Sequence, residues 1–194
     1  MMKKIAYSLA LALSLCACGK KATTPTVELD EEEMPPVIIA YFSATGTTAR
    51  VAKMMAESLQ VDLLEIVPAE PYTAADLDWN DKTSRSTLEM QDSTARPALG
   101  FDVPDLSSYK LIYLGYPIWW GKAPRIINSF IEAANIDTLT QILPFATSGG
   151  SPVEPSAEAL KATYPELRWE APILLNNIGD DGLQTHEDEE ADAE

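Results

Sequence analysis

Histidine and cysteine are nearly missing from this chain of 194 residues, which holds one His and two Cys. His186 sits in an acidic tail, so the core has no material for a histidine-based triad or zinc site. Cys16 and Cys18 both precede residue 19, leaving the rest without a disulfide or a thiol nucleophile. Basic residues are also few, 14 Lys and Arg against 30 Asp and Glu, for a net charge of −16. A surface this acidic repels phosphate backbones, so nucleic-acid binding through a basic patch is not expected. No internal repeat is present. The hydrophobic fraction, 46%, is enough for one medium-sized core.

The apolar run Ile5 to Leu15 follows Met1-Met2-Lys3-Lys4 and is too short to span a bilayer, but it suits the h-region of a signal peptide. It ends in Leu15-Cys16-Ala17-Cys18, which resembles the bacterial lipobox. Residues 1–17 are therefore expected to be a signal peptide. Cys18 is the expected lipid attachment, since Cys16 would place Leu15 where a small residue is needed. Residues 18–35, with an acidic run from Glu28 to Glu33 and Pro35 at its end, read as a flexible tether. Residues 180–194 carry eight acids and no Lys or Arg, and read as a solvated, disordered tail. Between these ends, residues 36–179 are expected to form one domain.

That domain alternates strand and helix patterns. Val37 to Phe42 is a continuous apolar run, as in a parallel strand covered on both faces. A helical stripe follows over about 47–59, and further strands are predicted over 61–67, 111–115, 141–146 and 168–175. Helices are predicted from about Ala123 and over 155–164. The succession implies an α/β fold, a doubly wound five-stranded parallel sheet with right-handed crossovers.

Ligands of such sheets bind beyond the C-terminal strand ends. The first strand runs into Ser43-Ala44-Thr45-Gly46-Thr47-Thr48, where hydroxyls, a glycine and the N–H groups of a helix start converge on what suits a phosphate. With no lysine there, a monoester fits better than a triphosphate. An ordinary Ser/Thr-rich cap would look the same. The third strand runs into Tyr116-Pro117-Ile118-Trp119-Trp120-Gly121, aromatic surface suited to stacking on a planar ring. The fourth runs into Thr147-Ser148-Gly149-Gly150-Ser151, where glycines permit close backbone approach and hydroxyls offer polar contacts.

These three loops together resemble the flavodoxin family. The first is similar to its S/T-x-T-G-x-T phosphate loop, and the other two resemble a bacterial flavodoxin-like branch carrying GYPxWW and TSGGS. The resemblance covers about residues 36–177. It implies strand order 2-1-3-4-5 and FMN as cofactor. By that resemblance Ser43, Thr45, Gly46, Thr47 and Thr48 hold the phosphate. Tyr116, Pro117, Ile118, Trp119, Trp120 and Gly121 flank the isoalloxazine, and Thr147, Ser148, Gly149, Gly150 and Ser151 line its other edge.

Two stretches depart from that pattern. Residues 69–109 replace an expected regular helix with a polar connection having helical patches only near 73–79 and 84–91. Either part of it covers the flavin, with Trp79 or Arg85 reaching the pocket, or it packs over the sheet as a surface insertion. After the fifth strand, residues 178–194 carry no amphipathic stripe for a closing helix. Part of one sheet face is then expected to be uncovered, favouring a partner or self-association. The implied function is that of an electron carrier tethered by lipid in the bacterial cell envelope, outside the cytoplasm, with an acidic surface suited to a basic redox partner. The alternatives are an NAD(P)H-dependent quinone or flavin oxidoreductase, which no G-x-G-x-x-G supports, and a flavin-free binding lipoprotein.

Overall fold

Five apolar residues, Val37–Tyr41, form strand β1, buried along almost its whole length. The computed structural model describes residues 35–176. The expected signal peptide, Cys18, the tether up to residue 34, residues 177–179 and the acidic tail lie outside the described residues. Helix α1, Thr47–Leu59, turns Val51, Ala52 and Met55 onto the sheet at helical spacing. Strand β2, Asp62–Glu65, is largely exposed, as an edge strand can be. Helix α2, Arg85–Gln91, sits within the long connection. Strand β3, Leu111–Pro117, helix α3, Arg125–Ala133, strand β4, Gln141–Thr147, and helix α4, Glu154–Thr163, follow. All sheet pairings are parallel, in the order β2-β1-β3-β4, which is the order the flavodoxin resemblance implies.

The fifth strand is present but broken. Arg168–Trp169 (β5) pairs with Gln141 and Ile142, and Ile173–Leu174 (β6) pairs with Phe145 and Ala146. The register moves by one residue between them, so Glu170, Ala171 and Pro172 face Leu143 and Pro144 in a bulge. Prolines explain the break. In β4 the even-numbered residues face the fifth strand, since the Ile142 and Ala146 carbonyls accept from the Glu170 and Leu175 N–H groups. Pro144 therefore has no N–H to offer there, and Pro172 has none on the other side.

Two apolar layers cover the sheet. Helices α3 and α4 bury Ile126, Ile127, Phe130, Leu160 and Tyr164 against Ile38, Ala40, Ile112, Leu114 and Ile142 on one face. The opposite face packs Ile39, Tyr41 and Phe145 against Val51, Ala52 and Met55 of α1. There Tyr113 and Ile173 remain half-buried, and α1 is the only helix among the described residues to cover that layer. No helix among the described residues is long and apolar enough to cross a membrane.

The 69–109 connection packs over the sheet, and it also lines a cleft with Leu77, Trp79 and Ser86. Its base is pinched shut, with Ala69 N–H on Ala98 O at 2.8 Å and Gly100 N–H on Val67 O at 2.8 Å. Leu99, Phe101, Val103 and the fully buried Leu106 then pack over the α3 face of the core. The segment enclosed by the pinch, including α2, brings Leu77, Trp79 and Ser86 beside Ala44, Thr45 and Pro117 at the C-terminal strand ends.

Candidate functional site

The chain leaves β1 at Phe42 and must turn sharply to enter α1. Gly46 makes the turn with φ +91°, a conformation that disfavours any Cβ. The Ser43 hydroxyl accepts the Gly46 N–H at 3.1 Å and holds the loop's shape. No side chain caps α1, so its first N–H groups face outward beside the exposed Thr45 and Thr47. Thr48 turns inward: it is buried, and its Oγ1 lies 2.8 Å from Thr147 Oγ1 at the end of β4. This hydroxyl pair couples the first loop to the third.

After β3, Trp119 and Lys122 exchange backbone hydrogen bonds at 2.9 and 3.0 Å, closing a two-residue turn. Both central residues have positive φ, Trp120 at 49° and Gly121 at 73°, as a type I′ turn requires. Glycine accepts that conformation freely. A tryptophan there is strained by about 1–2 kcal/mol. The turn leaves Trp120 beyond the strand end, 48% exposed.

Beyond β4, the Ser148 hydroxyl accepts from both Gly150 N–H at 3.1 Å and Ser151 N–H at 2.6 Å. The Ser148 N–H donates to Asn176 Oδ1 at 2.7 Å. The loop is thus shaped by its own serine, while Gly149 and Gly150 face open space.

A cleft of about 380 Å³ opens between the first two loops and the connection, a volume suited to a planar ligand. Ala44 and Thr45 form its floor near the helix start, Pro117 to Trp120 one wall, and Leu77, Trp79 and Ser86 the facing wall. The second wall is held rigidly. Tyr72 packs edge-on against Phe42 at 5.7 Å and Trp119 at 5.3 Å, and its hydroxyl donates to Glu89 at 2.6 Å. Arg85 lies 4.1 Å over the Tyr72 ring, pairs with Glu89 at 2.7 Å and donates to Glu70 O at 2.8 Å. Burial first, and the Glu89 hydrogen bond next, push the Tyr72 phenol far above its ordinary pKa, so it remains a donor. From α3, Arg125 reaches the Glu89 and Met90 carbonyls, both at 3.3 Å.

Several sequence expectations are corrected here. Tyr116 does not flank the cleft: its ring is fully buried and its hydroxyl meets Ser156 Oγ on α4 at 3.1 Å, because alternate residues of β3 point to the core. Burial pushes its phenol up to about 12. Thr147, Ser148, Gly149, Gly150 and Ser151 stand outside the cleft's lining; Thr147 O accepts the N–H of the lining residue Ile118 at 2.9 Å, and its hydroxyl meets Thr48. Arg85 does not reach the cleft; it braces the wall that carries Trp79. Trp79 does line it. Leu77 and Ser86 escaped sequence reading because nothing in a polar, irregular stretch marks which side chain turns inward. The length of the connection was the available signal.

The family model named Flavodoxin matches residues 36–188. The chain belongs to the flavodoxin family. This flavodoxin-family chain is 50% identical to a candidate flavoprotein from Bacteroides uniformis, with TM-score 0.72, covering 75% of this chain and 92% of that one. A candidate flavoprotein from Bacteroides eggerthii is also 50% identical, at TM-score 0.72, with 74% and 90% covered. A flavoprotein from Lactobacillus acidophilus in complex with FMN shares the fold at 19% identity and TM-score 0.59, covering 72% and 93%. No curated protein matches the chain.

Proposed function

We propose that this flavodoxin-family protein binds FMN and carries electrons at the bacterial cell envelope, held there by lipid on Cys18. The carrying observation is the juxtaposition of an indole-walled cleft with an uncapped helix start at its floor. The N–H groups of α1 and the hydroxyls of Thr45 and Thr47 hold the phosphate by hydrogen bonds and the helix dipole, without a cation. Trp79, Trp119 and Trp120 bound the ring system and exclude water from it. FMN supplies the redox chemistry when bound. The chain's own part is to hold the cofactor and to set the field around it. Within residues 34–179 there are 17 acids and 10 bases, so added negative charge on the cofactor is disfavoured and the potential of that step falls. The same surface steers a basic redox partner towards the cleft.

The test is an absorbance titration of the soluble domain loaded with FMN and reduced stepwise. Two resolved one-electron steps support the carrier. Rapid bleaching by NADPH with turnover of quinone assigns the reductase instead, and failure to bind FMN overturns both. Globomycin treatment of cells making the full chain tests the anchor, since the uncleaved precursor accumulates only if the chain is processed as a lipoprotein, and Cys18→Ser against Cys16→Ser assigns the cysteine.

A further inference from the structure

Two buried hydroxyls among the described residues have no hydrogen-bond partner, Ser86 Oγ and Ser129 Oγ, and of these only Ser86 lines the cleft. Ser86 is 1% exposed. A buried hydroxyl left unpaired is costly, so its presence calls for a partner that the chain does not itself supply. The usual fallback is closed to it. A helical serine can donate to the carbonyl four residues back, but Ser86 is the second residue of α2, with no preceding helical turn. Ser156, the third residue of α4, solves the problem by donating to Val153 O, three residues back, at 2.7 Å. Ser86 makes no such bond.

Its position is nevertheless fixed. The Ser86 N–H donates to Asp76 O at 3.0 Å, Ser84 caps α2 through the Thr87 N–H, and Arg125 ties down the far end of the helix. The surrounding lining is otherwise apolar on this wall, Leu77 and Trp79. A single fixed polar group on an apolar wall is what orients a planar heteroaromatic ligand.

We infer that the Ser86 hydroxyl is a cofactor-binding group of this protein, hydrogen-bonding a polar atom of the flavin ring system from the wall formed by the 69–109 connection. The inference rests on the FMN reading. Ser86→Ala, with Ser129→Ala as control, tests it by titration of the flavin-free domain with FMN and with riboflavin, followed by tryptophan quenching, and by thermal melting without ligand. Ser86→Ala weakens FMN and riboflavin alike by about five- to tenfold. Its ligand-free melting temperature stays level or rises, because an unpaired buried hydroxyl has been removed. Ser129→Ala leaves both affinities unchanged.

Unchanged affinity in Ser86→Ala overturns the inference while leaving the FMN reading intact. A loss for FMN alone overturns it too, since the contact would then be to the phosphate. A lower ligand-free melting temperature with unaltered binding makes Ser86 structural. If the unsubstituted domain binds neither flavin, both the inference and the reading beneath it fall.

Discussion

The sheet with its covering helices and the 69–109 connection are built by different means. In the first, apolar side chains at strand and helix spacing choose the structure. Ile39, Ile112 and Ile142 are wholly buried, and the register between β1, β3 and β4 follows. In the connection, short polar residues shape the backbone. Asp76 bonds Thr73, Asp81 bonds Thr83 and Asp92 bonds Thr94, each carboxylate holding an N–H two or three residues away. Those bonds hold the three carboxyl groups below the usual carboxylate range. The cleft lies between the two regions, so a stable scaffold supplies one wall and a locally wound segment the other. Binding should be easier to perturb from the second wall than folding is.

The sheet should give the largest effect. Gly115 in β3 lies opposite Phe145 in β4, and a Cβ there would lie well inside contact distance of Phe145 Cζ. Phe145 is fully buried and has no room to withdraw. Gly115→Ala should destabilise the domain by about 2–4 kcal/mol, read from a urea midpoint. A loss below 0.5 kcal/mol would show that the sheet is looser than its packing implies.

Arg85→Ala strikes the other wall. It removes a cation over Tyr72, a partly exposed ion pair and a bond to Glu70 O, together worth about 1–2 kcal/mol after solvent screening. FMN affinity should fall by about tenfold, more than the fold itself weakens. Equal affinity with lower stability would mean that the brace serves the fold alone.

The Thr48–Thr147 pair gives an effect of about the same size within the scaffold. Thr147→Val leaves Thr48 Oγ1 buried without this partner and should cost about 1–2 kcal/mol. Changing both to Val restores most of that loss, because two apolar isosteres need no bond. Thermal melts of the two singles and the double close the cycle.

Trp120→Asn sets the two aims of one residue against each other. Asparagine tolerates the positive φ, so the ligand-free domain should gain about 0.5–1 kcal/mol while FMN binding weakens. Calorimetric melts with and without FMN would show the two effects with opposite sign.

How far the sequence was legible follows the same division. β1, α1, β3, α3, β4 and α4 announce themselves by period, and the loops after β1 and β3 by their residue types. The fifth strand reads as continuous because Ile173, Leu174 and Leu175 extend the apolar run, yet the facing prolines 144 and 172 break it. Tyr116 reads as a site residue because its motif neighbours are, although strand alternation sends it inward. The connection that carries Trp79 and Ser86 is held to the scaffold by Tyr72, edge-on against Phe42 and Trp119, contacts made across long sequence separation. Local pattern carries no record of them.

The smallest effect concerns a tie between the two regions. Arg96, at the end of the connection, holds Glu132 of α3 with bonds of 2.8 and 2.9 Å, and Tyr164 of α4 donates to the same carboxylate at 2.7 Å. The Arg96 guanidinium is the main cause that holds the Glu132 carboxyl below its ordinary value, with the Tyr164 bond adding to it. A carboxyl whose pKa is lower in the folded state adds stability above its unfolded pKa, and that stability is lost as pH falls through the folded value. The tie should therefore be intact at neutral pH and released under acid, below the ordinary glutamate range. Because both partners are partly exposed, the effect is under about 1 kcal/mol. Glu132→Gln should lower the neutral plateau of a stability–pH curve by under about 1 kcal/mol and so flatten part of its acid limb, the two proteins converging at low pH. If the acid limb is unaltered, the connection is anchored to the scaffold by its pinched base and by Arg125 rather than by this pair.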